Sequence, residues 1–131
     1  MLVTLAEETP VNEVVETAFA LEDEIGVALG PVIVNGLVDV PQGLDGDLDA
    51  LVEANAPHLS ATDIAELRDA AAFRLRWAAR QHEQVARLGH LLPLAHLTTP
   101  YLFTTEPGPT ELERLSSALT DGIGQLGEDD A

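Results

Sequence analysis

Leu29-Gly30-Pro31-Val32-Ile33-Val34-Asn35-Gly36 is the stretch that decides how this chain folds. Its β-branched run reads as a strand, and Asn35-Gly36 stands directly at its end. Asn-Gly can turn a hairpin. Residues 37–42 reach Pro41 without clear alternation, however, so a strand end followed by a loop is the better reading. Upstream, Leu2-Val3-Thr4-Leu5 reads as a short buried strand that starts with no lead-in, which is odd for a complete domain. Glu7 to Thr9 form a loop. Thr9 then takes the N-cap position of a helix, with Pro10 first inside it. That helix runs to about Ile25 on an apolar stripe of Val14, Val15, Ala18 and Leu21, and Gly26 stops it.

Downstream, residues 38–60 are rich in Asp, Gly and Pro, with a short helix around 48–54. Ser60 begins a long helix, with Asp63 three residues on in the manner of a capping box. Ile64, Leu67, Ala71, Leu75, Ala78, Val85 and Leu88 form its stripe, Phe73 and Trp77 lie on an adjoining face, and Gly89 marks the stop. Leu91 to Thr98 reads as a third strand, with Pro93 at its start. Residues 99–109 are a loop with three prolines. Thr110 and Glu113 make a second capping box. The last helix, about 110–126, buries Leu112, Leu115, Leu119 and Ile123, and residues 127–131 are a frayed acidic tail.

The order β-α-β-α-β-α implies an α/β fold with a parallel sheet and right-handed crossovers, in three layers, α/β/α. Three strands are few. Parallel sheets are normally covered on both faces, and an edge of this one is left bare. The sheet therefore reads as incomplete, finished by a partner or a missing segment.

The chain has 131 residues, which suits one domain, and 46% of them are hydrophobic, which argues against disorder. There are no cysteines, so disulfides, thiolate metal sites and a cysteine nucleophile are excluded. No apolar run is long enough to span a membrane, and Met1 to Ala6 are followed too soon by Glu7 and Glu8 to form a signal peptide. A cytoplasmic protein is expected. Asp and Glu total 23 against six basic residues, a net charge of −17, which disfavours nucleic acid and anionic membranes. All six are arginine. A phosphate-binding loop of the Walker type and Schiff-base chemistry both need a lysine, and this chain has none.

Several constellations have plain structural readings. Asp45-Gly46-Asp47-Leu48-Asp49 lacks the glycine and glutamate that a calcium loop needs at later positions, where Ala50 and Ala56 stand, so it reads as a solvated acidic loop. His90 and His96 would share one face of an extended segment, but Pro93 intervenes and no third ligand is placed. A metal-dependent enzyme built on them is the weakest functional reading. Phe73 and Trp77 read as core. The arginines of the long helix, interleaved with Glu66, Asp69 and Glu83, read as a salt-bridged face. Asn35 has two readings. It can cap a turn before Gly36. It also stands at the carboxyl end of a parallel strand, where open α/β sheets bind ligands, and a carboxamide can pair with adenine N7 and N6 together.

Three segments bear on that choice. Thr4 to Glu13 (TLAEETPVNE), Leu29 to Gly36 (LGPVIVNG), and Thr99-Pro100-Tyr101-Leu102-Phe103 followed by Glu106-Pro107-Gly108 resemble successive blocks of the ArsA-like, arsenical-pump-driving ATPases. These anion-transporting enzymes are related to the ATPases that target tail-anchored proteins. Arg76, Arg80 and Gln81 fit the same order. The resemblance covers nearly the whole chain but only the C-terminal part of the family's domain, here residues 1–126. Ala6 stands where the family often has proline. The zinc-binding cysteine pair of the eukaryotic targeting factors is absent, which points to a bacterial-type member.

The resemblance implies a partial P-loop-NTPase-like sheet. It implies that Asn35 hydrogen-bonds adenine, with Pro100, Tyr101 and Leu102 packing on the base. It also implies that the phosphate-binding loop, both switch segments and the magnesium ligands lie upstream of this chain. The expected function is adenine recognition for ATP, with no hydrolysis by the chain alone. The full domain would dimerise around ATP and drive a membrane pump or another client. The alternative is a non-catalytic module that pairs with a separate P-loop-bearing chain or with a second copy.

Overall fold

In the computed structural model, residues 1–56 and 58–129 are described, the side chains of 127–129 excepted. The chain divides into two compact units, residues 1–37 with 80–131, and residues 38–79.

The first unit holds a three-stranded parallel sheet in the order β1 (Leu2–Leu5), β2 (Val32–Leu37), β3 (His96–Pro100). The fold is thus mixed α/β, a parallel sheet flanked by helices. Strand β1 has the expected bounds but is not the buried strand expected: Val3 and Leu5 are exposed, since β1 is the edge of the sheet. Helix α1 spans Glu8–Ala20 and starts two residues earlier than a cap at Thr9 predicts. Glu7 occupies the cap without a side-chain bond, so Thr9 and Pro10 lie inside the first turn. Proline is tolerated there because its missing N–H would have no helical partner. A wider π-type turn, Leu21–Ile25, follows, and Gly26 ends it at φ 72°, a left-handed conformation that favours glycine.

Residues 61–91 form one long helix, α3 (Ala61–Leu91). It passes the expected stop at Gly89, where a Cβ would lie in ordinary contact with the His96 ring, 3.5 Å from Cε1. The third strand consequently starts at His96 rather than Leu91, because residues 92–95 are spent on the turn after the helix. His90 is in α3 and His96 in β3, so the extended segment that would align them does not exist. Helix α4 (Pro109–Asp129) runs three residues beyond 126, into the acidic tail; Asp130 and Ala131 lie outside the described residues. Its N-terminus is held by Glu111, which accepts from the Gly108 N–H at 2.9 Å, not by the Thr110–Glu113 pair. Leu112 and Ile123, expected in the core, are 60% and 59% exposed.

The core lies on one face of the sheet. Val32 and Val34, both fully buried, meet Val11, Val14 and Ala18 of α1 and Leu88 and Leu92 near the end of α3. On the alternate face Leu97 packs under α4 at Gly122, where a Cβ would come within 3.0 Å of Leu97 Cδ2. Glycine lets that helix approach β3 closely.

His96 Nε2 is buried and has no hydrogen-bond partner among the described residues. Burial lowers its pKa from the ordinary 6.5. A histidine whose folded pKa is depressed contributes fully above its unfolded pKa, and the contribution is lost as pH falls from about 6.5 toward the folded value. The melting temperature of the native chain should therefore drop more over that interval than that of His96→Phe. Parallel pH curves for the two proteins would contradict this.

The second unit contains α2 (Leu48–Asn55) and α3 up to Ala79. Asp47 caps α2 by accepting from the Ala50 N–H at 3.1 Å, and Asp49 pairs with Arg68. The acidic loop is thereby used for capping and pairing. Ser60 and Asp63 form the expected reciprocal cap, with the Ser60 hydroxyl 2.7 Å and its N–H 2.9 Å from Asp63 Oδ2. Those bonds hold the Asp63 carboxyl below its usual 3.8. Arg74 pairs with Asp39 at 2.7 Å, so its acidic partner comes from the loop rather than from the helix. The Phe73 and Trp77 rings meet at 5.9 Å, but Phe73 is 54% exposed and is no core residue. No helix among the described residues is long and apolar enough to cross a membrane.

Candidate functional site

Strand β2 does not end at Asn35. It continues through Gly36 to Leu37, and its register with β3 slips on the way. Val34 pairs with Thr98 and Leu37 with Pro100, so Asn35 and Gly36 together oppose Thr99 alone. Two residues against one is a β-bulge. Gly36 takes it up at φ 77°, where a side chain would be strained.

A bulge removes backbone groups from the ladder and leaves them needing partners. The Gly36 carbonyl accepts from Gln81 Nε2 at 2.9 Å. Gln81 is on α3 and only 6% exposed. Past the bulge the ladder resumes with the Tyr101 N–H donating to the Leu37 carbonyl at 2.8 Å. The bulge also brings Asn35 beside Thr99, whose hydroxyl donates to Asn35 Oδ1 at 2.7 Å. Thr99 is 5% exposed, so its hydroxyl is fixed by the need for a partner. The amide of Asn35 is thereby oriented. Its oxygen accepts from Thr99, and among the described residues its Nδ2 donates to no partner.

The expected site residues are partly brought together. Pro100 ends β3 and is half-buried; Tyr101 is 37% exposed and Leu102 half-buried. The Tyr101 ring closes on Gly36, with a hypothetical Cβ there 3.7 Å from Tyr101 Cδ2. Phe103, 59% exposed, meets Tyr101 edge-on at 4.8 Å between centroids. Tyr101, Leu102 and Phe103 line a hollow of about 520 Å³ with Thr104 and Thr105; Pro100 does not. Asn35 lines a different one, a groove of about 360 Å³ shared with β1 and α1. The two openings share no lining residue and do not form one pocket. Asn35, Tyr101 and the bulge are adjacent; Leu102 belongs to the Tyr101 hollow alone.

Thr99, Gln81 and Phe103 complete the arrangement without having been assigned site roles. Gln81 carried a signal. It stands between Ala78 and Val85 on the buried stripe of α3, where a polar side chain must have a buried partner. Thr99 gave none, since its partner lies 64 residues away.

No family model matches the sequence, and no curated protein matches it.

Proposed function

We propose that the carboxyl ends of β2 and β3 recognise an adenine base. On this reading the chain supplies the base-binding end of an ArsA-like, P-loop-NTPase-like nucleotide-binding unit, with phosphate and magnesium held by residues other than these. The observation that carries the reading is the Thr99-oriented amide of Asn35, at a bulge closed by the Tyr101 ring. The free Nδ2 would donate to adenine N7, and the second lone pair of Oδ1 would accept from N6. Guanine offers acceptors at both positions, and the fixed amide disfavours it. Tyr101 and Phe103 offer ring surface, and Pro100 a rigid edge.

The expected affinity is low. A bidentate base contact and one stacking partner are each worth about 1–3 kcal/mol, which together correspond to a Kd between roughly tens of micromolar and tens of millimolar. A triphosphate is disfavoured here, because the chain carries −17. Adenosine is therefore expected to bind at least as well as ATP, and neither should be hydrolysed. Titration by nuclear magnetic resonance of the ¹⁵N-labelled chain checks this. Adenosine at millimolar concentration should shift the Asn35 side-chain amide more than guanosine does, and Asn35→Ala should abolish the response at neighbouring residues. Equal response to guanosine, micromolar affinity for ATP, or magnesium-dependent phosphate release by the pure chain would each sink the reading.

A further inference from the structure

The register places Val3, Ile33 and Leu97 in one row across the sheet. Leu97 is 4% exposed beneath α4, whereas Val3, two strands away, is 60% exposed. Leu5, farther along β1 on the same face, is 42% exposed. Cover on this face thus stops short of β1. The strand is also the edge of the sheet, so among the described residues its outer N–H and C=O groups have no strand partner. The groove beside it, lined by Leu2, Leu5, Pro10, Glu13 and Thr17 among others, is the one that Asn35 enters from β2.

An open edge with an apolar floor is the template for strand addition, in which main-chain bonds give affinity and side-chain chemistry gives selectivity. The charge pattern selects the partner. Residues 1–37 carry seven carboxylates, Glu7, Glu8, Glu13, Glu16, Glu22, Asp23 and Glu24, and no lysine or arginine. Arg87 reaches this region at Asn12 of α1. A second copy added through β1 would set these carboxylates against their own kind, and like-charge juxtaposition disfavours it. Glu13 itself lines the groove.

We propose that the free edge of β1 takes an extended apolar segment of another polypeptide, flanked by lysine or arginine, as an added strand with its basic flank against Glu13. This goes beyond base recognition and stands whether or not the ends of β2 and β3 take adenine.

The test uses the 131-residue chain and two fluorescent peptides of alternating valine and threonine, one flanked by lysines and the other by glutamates. Anisotropy should show binding of the lysine-flanked peptide only. Glu13→Lys should weaken that binding about five-fold or more and admit the glutamate-flanked peptide. The double variant Val3→Ser, Leu5→Ser should lose both. All three positions are exposed, and circular dichroism checks that the variants stay folded. Absence of binding, equal binding of both peptides by the native chain, or indifference to Glu13→Lys overturns the proposal. So does a homodimer that the double variant dissociates. Because Asn35 also lines the groove, adenosine is titrated into separate samples without peptide, which reads the base site apart from strand addition.

Discussion

Leu88→Ala is expected to destabilise the chain by about 3 kcal/mol, within the range of roughly 2–5 kcal/mol for buried leucines. Leu88 is fully buried and packs with Val11, Val14 and Ala18 of α1 and with Val32 and Val34 of β2. Truncation removes the transfer free energy of the lost methyl and methylene groups. It also leaves a cavity between a helix and a sheet, which are poorly able to collapse onto it. For a chain of this size each kcal/mol shifts the melting temperature by roughly 2–8 °C, so a drop of around 10 °C is expected. Leu112, 60% exposed on α4, is the matched control. Leu112→Ala should stay within about 0.5 kcal/mol of the native chain. Thermal and urea unfolding of the two variants decide the matter. Similar losses in both would mean that the apolar burial of this unit is not where α3 meets the sheet.

That contrast also marks what the sequence made legible. Val32, Val34 and Leu88 are conspicuous because apolar periodicity reports burial directly. Leu112 and Ile123 have the same periodicity yet remain exposed, since a helical stripe shows that a face is apolar and not that anything covers it. The sheet is three strands wide, and α4 covers it at β3 while leaving Val3 open. Local rules also misplaced several ends. Gly89 looked like a helix stop, but it does not adopt the left-handed conformation of a cap, and the helix runs on to Leu91. Thr9 looked like a cap, and Pro10 proved equally compatible with the next positions of the first turn. At the candidate site, Asn35 and Tyr101 were legible as residues, while the feature that joins them was not. A bulge is a relation between two strands whose facing residues, Asn35 and Thr99, lie 64 apart in sequence, and Asn35-Gly36 reads the same whether it bulges, turns or ends a strand.

Gln81→Leu isolates that relation, and it is expected to cost about 1–3 kcal/mol. The leucine nearly preserves volume and suits the apolar stripe of α3, so packing alone would make the change mild. The loss comes from the Gly36 carbonyl, which the bulge has taken out of the ladder and which the Gln81 amide satisfies at 2.9 Å. Removing one partner of such a pair exposes the full desolvation penalty of the other. The cheapest relief is to straighten the bulge. That would slip β2 against β3, separate Asn35 from Thr99 and move Gly36 away from the Tyr101 ring. Two readouts should therefore move together: unfolding free energy, and the response of the Asn35 side-chain amide to adenosine. Gly36→Ala is the complementary change. It meets no steric obstacle, since the added Cβ would sit 3.7 Å from Tyr101, but it is strained at φ 77°, at a cost of about 1–2 kcal/mol. Because both variants act on one bulge, the double variant should lose less than the sum of the single losses. Strict additivity would show that the Gln81 bond and the Gly36 conformation are independent, and the bulge would then not be the unit that positions Asn35.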